Sequence, residues 1–316
     1  MSAADDGPCE VLTEDRVEAW MASLSNWGRW GDDDQAGTLN LITDAKRAEA
    51  AALVRAGVAV SCAWPITTHD LGDGGRPPQR FVTSTGGGLP GSRVRAATDH
   101  LAMPVHGLSV THLDALGHIM WDGRMYNGAP AESVTAHAGA AVNAVTAAAG
   151  GVLTRGVLLD LPAALGVPWL AGGTGAAPAD LDAAEDRQGV RVGPGDAVLV
   201  RTGYGRWRRE SGGNTPLPGG RPGLGAACAA WLRERDAALA GCDTGTEVLP
   251  PALDAVPAPF HALAVVAMGL WLLDCCQLED LADTCRRLER WEFQLTLAPL
   301  PFEGATGSPV NPVACF

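Results

Sequence analysis

The chain has 316 residues, 47 % of them hydrophobic and 19 % charged, with a formal net charge of −13. That balance describes a globular protein rather than a disordered one, and the negative charge repels phosphate backbones, which removes nucleic acid from the expected partners. The 40 glycines and 22 prolines make up about a fifth of the chain, against roughly 12 % in average usage, so turns and long connections abound and a plain helical bundle is excluded.

TEDRVEAWMASL (13–24) opens on a threonine cap signal, continues with apolar residues at helical spacing, and predicts an entry helix. NWGRWGDDDQAGTLNLIT follows as glycine-rich, acidic turns, and TDAKRAEAAALVRAG (43–57) predicts a second helix, capped by Thr43 or Asp44 and stopped by Gly57. Residues 1–57 thus read as a helical N-terminal segment, followed by a strand in VAVSCAWPI. From 70 to 98 little can pack, and a loop of that length predicts a lid or an arm between copies.

GVLLDL (156–161) and DAVLVRTG (196–203) predict buried strands, with a helix in PADLDAAEDRQGV between them. RTGYGRWRRE (201–210) carries four arginines and reads as a solvated strand end or loop. GLGAACAAWLRERDAALAGCDTGTEVLP reads as a helix feeding a short strand, CQLEDLADTC as a short helix, and RWEFQLTLAPLP as a closing strand. Strands alternating irregularly with helices predict a single α/β domain over 1–316 with a mixed sheet. The longest apolar run, ALAVVAMGLWLL (262–273), is too short to cross a bilayer, so no membrane partner is expected.

Eight cysteines stand at 9, 62, 228, 242, 275, 276, 285 and 315 with no C-x-x-C pair. They predict reduced thiols rather than a disulfide framework. The acidic start MSAADDGPCE has no signal-peptide pattern. Both point to a cytoplasmic protein.

THLDALGH (111–118) concentrates two histidines and an aspartate in eight residues. In an extended segment alternate residues share a face. His106, His112 and Asp114 have one parity and can line one cavity, with His118 returning after a one-turn loop. Imidazole and carboxylate together suit Zn²⁺, Mn²⁺ or Fe²⁺. The competing reading makes His112 and His118 hydrogen-bonded core or surface residues.

VTHLDALGH resembles the signature H-x-G-T-H-x-D-x-x-x-H of the cyclase family of metal-dependent hydrolases, which includes bacterial kynurenine formamidase and isatin hydrolase. NWGRWGDDDQAGTLNLIT, WDGRMYNG, RGVLLDLP, GDAVLVRTGYGRW, AGCDTGTEVLP and GLWLLDCCQLEDLA are similar to segments of the longer bacterial members, so the resemblance spans about residues 26–300. It implies a swivelling β/β/α fold, a partly barrel-like mixed sheet flanked by helices. It further implies one or two divalent ions, Zn²⁺ or Mn²⁺, a small-molecule substrate, and a homodimer or homotetramer.

By position, the resemblance makes His112 and Asp114 metal ligands and His118 the general acid/base. His261 becomes a later ligand, with Asp274 in the place of the family's glutamate and Glu279 as the rival carboxylate. The family's first histidine falls on Leu108 here, and His106, two residues earlier, is the candidate substitute.

The reaction implied is hydrolysis of an amide, lactam or lactone in a small cyclic or aromatic substrate, by metal-activated water. Two alternatives stand beside it: a ring-closing or eliminating biosynthetic enzyme with one ion or none, and a non-catalytic small-molecule binding protein on the same fold. Candidate substrate contacts are Trp27 and Trp121 as an aromatic wall, Tyr126 and Asn127 as hydrogen-bonding groups, and Arg201 as a carboxylate clamp. Each has a bland counterpart in core packing, a YNG turn and an ion pair. His69, His100 and His137 are assigned no role, and the absence of G-x-S-x-G gives no support to a serine nucleophile.

Overall fold

The computed structural model describes residues 12–88 and 91–316. Thr13 accepts a hydrogen bond from the Arg16 amide at 3.3 Å and starts α1 (Glu14–Ser23). Thr43 does the same for α2 (Asp44–Ala51), accepting from Lys46 at 3.1 Å. The helix predicted as far as Gly57 ends early because the Ala56 and Gly57 amides donate to the Phe316 carbonyl at 2.9 and 2.8 Å. Pairing with the end of the chain pulls that segment out of the helix. Residues 1–11 of the predicted helical segment, Cys9 among them, lie outside the described residues.

Nine strands form one sheet. They are β1 (Ala59–Ser61), β2 (His112–Asp114), β3 (Val152–Asp160), β4 (Ala197–Arg201), β5 (Leu239–Cys242), β6 (Trp271–Asp274), β7 (Glu292–Leu297), β8 (Gly307–Pro309) and β9 (Val313–Cys315). Their order is β1-β9-β7-β3-β4-β5-β6-β2-β8. β3 to β6 run parallel, with antiparallel strands added on both sides. Every residue of β4, β5 and β6 is buried, as a parallel layer covered on both faces requires. The sheet curls into a half-barrel flanked by helices, the mixed α/β architecture that the sequence predicts. Leu113, Trp271, Phe260, Phe293 and Phe316 are fully buried in its core, each contributing about 1.5–3 kcal/mol by removal from water.

Two segments differ from their sequence reading. RTGYGRWRRE is mostly a helix, α5 (Tyr204–Ser211). The buried Asp243 carboxylate accepts from the amides of Thr202, Gly203 and Gly205 and anchors the turn that starts it. The stretch read as a loop over 70–98 contains most of a hairpin, Gln79–Thr85 paired with Ala97–Ala102. No helix among the described residues is long and apolar enough to cross a membrane.

The apolar run at 262–273 divides between two elements. A short turn, Pro259–His261, continues as a π-helix over Ala262–Met268, a form that recurs at functional sites. Gly269 stops it at φ +63°, and a Cβ there would lie 2.4 Å from the Tyr126 ring. Gly269→Ala therefore meets both a left-handed backbone and a filled space. It is expected to cost about 2 kcal/mol or more, read as a lower midpoint in urea unfolding with an unchanged slope.

Candidate metal centre

β2 lies between β6 and β8, and its register sets the site. His112 stands opposite Asp274, and Asp114 opposite Leu272. Directly opposed residues in an antiparallel pair share a face. Two carboxylates and an imidazole thus converge where the parallel strand β6 ends, at the carboxyl edge where open α/β sheets place their ligands.

His112 is 3 % exposed and Asp114 1 % exposed. The His112 Nδ1 lies 2.8 Å from the Val110 carbonyl. A carbonyl only accepts, so Nδ1 carries the proton and Nε2 faces Asp114 Oδ1, 3.4 Å away. His261 enters from the first turn before the π-helix, with Nε2 3.7 Å from Asp114 Oδ2 and 3.6 Å from Asp274 Oδ2. Its Nδ1 is 3.0 Å from Glu247 Oε2, and the Glu247 carboxylate also accepts from the amides of Phe260 and His261. Glu247 thus caps the helical turn and fixes the His261 tautomer. Thr246 beside it donates to Asp274.

His106 reaches the cluster, though not by strand parity. Residues 105–110 are a series of bends, and the strand begins only at His112. The bends are pinned from outside, by Asn214 donating to the Leu108 carbonyl and Ser109 donating to Asp73. His106 Nδ1 comes to 2.8 Å from Asp114 Oδ1 and Nε2 to 3.0 Å from Thr306 Oγ1. Its ring stacks flat on His118, with centroids 3.6 Å apart and planes 3° apart. Leu108 packs against Gly245, next to the Asp274 carboxylate.

His118 follows a turn closed by its amide to the Ala115 carbonyl at 2.9 Å. Its Nε2 stands 4.0 Å from Asp114 Oδ2 without a hydrogen bond. The His106 and His118 side chains are about a quarter exposed, so this stacked pair forms the open side of an otherwise buried cluster.

Among the described residues, two groups have ligand atoms lying within 4.8 Å of one another: His106, His112 and Asp114, and Asp114, His261 and Asp274. Asp114 Oδ2 is buried with no hydrogen-bond partner. An orphaned, buried carboxylate oxygen is costly. A divalent cation satisfies it, and the nitrogen and oxygen donors suit Zn²⁺ or Mn²⁺. The residues present fit the ion.

The electrostatics agree. Burial works against charge on Asp114, yet hydrogen bonds from His106 and His112 and the charge of His112 hold its carboxyl well below the usual range. Burial likewise opposes a charge on His112, but Asp114 and Asp274 outweigh it and push the imidazole up to about 9. His261 is raised well above its usual value, with Asp274 and Glu247 overcoming burial. His118 goes the other way, to about 4, through burial and the neighbouring imidazoles, despite Asp114. It is neutral at pH 7.

The other candidates sit apart from this cluster. Arg201 is held by Glu279 at 2.8 Å and Asp160 at 2.6 Å in a buried ion group. Glu279 is thereby committed to Arg201, and Asp274 is the carboxylate in the cluster. Tyr126 is buried and donates to Asp34 at 3.0 Å. Asn127 ties the acidic N-terminal turn together, donating to the carbonyls of Gly31, Asp32 and Asp34 and accepting from Gly28. The Trp27 indole donates to the Val266 carbonyl at 2.7 Å, and Trp121 is half-buried against the core.

Glu247 and Thr306 escaped the sequence reading, whereas CDTGTE offered Thr244 or Thr246 to the pocket against a structural turn, and Thr246 is the one that reaches Asp274. The only local signal for Glu247 and Thr306 was a carboxylate in TGTEV and a hydroxyl in EGATGS, both glycine-containing segments.

Because His112 holds its proton more tightly when folded, the stability it contributes is full below about pH 6.5 and is lost as pH rises through about 9. Protein stripped of metal by a chelator is expected to melt at falling temperature across that window. Zn²⁺ or Mn²⁺, by replacing the proton at Nε2, should flatten the slope in a thermal scan.

A family model for the cyclases matches residues 34–246. A solved structure described as a novel cyclase is 31 % identical, with a TM-score of 0.83, and the match covers 94 % of this chain and 99 % of that one. Isatin hydrolase A from Labrenzia aggregata, bound to benzyl benzoate, is similar in fold at 20 % identity and TM-score 0.59, over 84 % of this chain and 94 % of that one. A predicted metal-dependent hydrolase from Bacillus stearothermophilus matches at 16 % identity and TM-score 0.50, over 82 % and 98 %. A search of curated proteins finds no match. With two thirds of its length under the family model and a close structural relative spanning nearly all of it, the chain belongs to the cyclase family.

Proposed function

We propose that the protein is a metal-dependent hydrolase that opens an amide, lactam or lactone bond in a small cyclic or aromatic substrate. The observation that carries this reading is the partnerless Asp114 Oδ2, buried between His261, Asp274 and His118. Membership of the cyclase family supports it, and the isatin hydrolase neighbour, whose name denotes a cyclic aromatic lactam, favours that substrate class.

Zn²⁺ or Mn²⁺ would be held by His112, Asp114, His261 and Asp274, with His106 on the solvent side. When bound, such an ion polarises a carbonyl and lowers the pKa of water to about 7. The chain's own work is proton handling and orientation. His118 is neutral, lies at the opening and has an uncommitted Nε2. It takes the proton from the attacking water and returns it to the leaving nitrogen or oxygen. His106 stacks on the His118 ring and limits its rotation. Glu247 holds His261 with Nε2 turned toward the two carboxylates. The same groups serve ring closure on an activated substrate, since proton transfer at His118 is reversible.

Leu108 favours a single ion. It brings a hydrocarbon up to Gly245, at the position where the family signature supplies an imidazole.

His118→Gln is expected to lower kcat on lactams, lactones and N-formyl aromatic amines by about 10²–10⁴-fold while keeping the metal content of the wild type. Loss of metal in that variant, or undiminished turnover, removes His118 from the role. Glu247→Ala is expected to weaken metal affinity by about 10–100-fold. Glu247→Gln should retain more of it, because its amide oxygen still accepts from His261 Nδ1; competition with a chromophoric chelator measures both.

A further inference from the structure

Arg208, on α5, is 8 % exposed, and its guanidinium makes no hydrogen bond or ion pair among the described residues. It lies over the face of the Trp64 ring, 4.1 Å from the centroid. The Trp64 indole nitrogen is itself buried with no hydrogen-bond partner. Arg221, 3 % exposed, donates to neutral groups, the Tyr204 hydroxyl and the side-chain and backbone oxygens of Asn214, and forms no ion pair among the described residues. Arg201, also buried, is by contrast met by Asp160 and Glu279.

A buried charge without a counterion is costly, and burial works against the Arg208 charge. Asp73, held by the Ser109 hydroxyl, opposes that from beyond ion-pair distance, and Arg221 adds like charge. The Tyr204 hydroxyl, pushed up to about 12 by burial, stays neutral. The unsatisfied groups here are all donors and call for an acceptor. Two guanidiniums against Asp73 leave one positive charge, the complement of a carboxylate rather than of a doubly charged phosphate, and the planar fork of arginine suits a carboxylate.

The cluster stands behind the bends that lead into the metal centre. Asn214, which Arg221 grips, donates to the Leu108 carbonyl. The Trp64 amide donates to Thr111 Oγ1 at 3.2 Å, directly before His112. That hydroxyl donates to the carbonyl of Cys275 at 2.7 Å, directly after Asp274. Trp64 and Thr111 also line a groove of about 530 Å³ with Ile66, Leu101 and Met103, which gives an apolar body room beside Trp64.

We infer that Arg208, with Arg221 beside it, binds a carboxylate carried on an apolar or aromatic body. The carboxylate belongs either to the substrate itself or to a free organic acid. The binding site stands apart from the hydrolase reading; only its assignment to the substrate rests on that reading.

Isothermal titration calorimetry with benzoate and its neutral isostere benzamide tests it, at low salt, on metal-loaded and chelator-treated protein. Both wild-type forms are expected to bind benzoate at least about tenfold tighter than benzamide, the worth of a charge-assisted hydrogen bond. Arg208→Gln should abolish that difference, and Arg208→Lys, which keeps the charge but loses the fork, should retain part of it. Circular dichroism checks that each variant folds; should Arg208→Gln not fold, the wild type and Arg208→Lys decide. Benzoate bound no better than benzamide overturns the proposal, as does benzoate bound equally by wild type and a folded variant. Binding that requires the metal belongs to the metal centre and overturns it too. Inhibition of N-formyl aromatic amine turnover then sorts the source. Competitive inhibition by benzoate, relieved in Arg208→Lys, gives the site to the substrate's own carboxylate, and non-competitive inhibition gives it to a free acid.

Discussion

Asp114 is the constraint on which the site depends. A carboxylate 1 % exposed is approached by four histidine rings: His106 at 2.8 Å, His112 at 3.4 Å, His261 at 3.7 Å and His118 at 4.0 Å. Burying that charge is expensive. His112 and His261 offset the cost by carrying protons, or by sharing with Asp114 a cation that replaces those protons. One oxygen is satisfied by His106 and the other is not. That asymmetry separates a ligand cage from a settled core network, in which both oxygens would have partners.

The fold supplies rigidity where the chemistry needs it. His112 and Asp114 ride on β2, between β6 and β8, and Asp274 ends β6, so three of the proposed ligands are fixed by backbone register. His261 is set by a different means, the Glu247 carboxylate that caps its helical turn and holds its ring. The groups facing solvent, His106 and His118, are attached to bends and turns. Proposed ligands buried on strands and a proposed proton carrier on a loop would divide the labour, keeping the cage rigid while its mouth adjusts to a substrate. The acidic N-terminal turn is tied by Asn127 and Tyr126 and packs at the start of β6, where the Trp271 indole donates to the Ala36 carbonyl.

Much of this was legible in the sequence because the signals were local. THLDALGH places two of the proposed ligands and the proposed acid/base within eight residues, and the β-rich runs at 156–161 and 196–203 became β3 and β4. What was not legible depended on distant partners. Parity across 106–114 assumed an extended chain, but Asn214 and Asp73 hold 105–110 in bends, and nothing within the segment encodes them. α5 was hidden because its arginines suggested a solvated loop. In fact Tyr204 and Arg208 turn inward, and Asp243, far along the chain, anchors the start. Glu247 precedes His261 by 14 residues with no spacing rule to join them. Whether Arg201 clamps a ligand or an ion pair turned on Asp160 and Glu279 lying beside it, which only the tertiary structure shows.

Metal content per chain, by elemental analysis of wild type and Asp114→Asn after loading with Zn²⁺ or Mn²⁺ and dialysis, tests the central claim most directly. The account predicts stoichiometric metal in the wild type and its loss in a variant that still folds. A folded wild type that retains no metal after loading, or an Asp114→Asn variant that binds as much as the wild type, would contradict it.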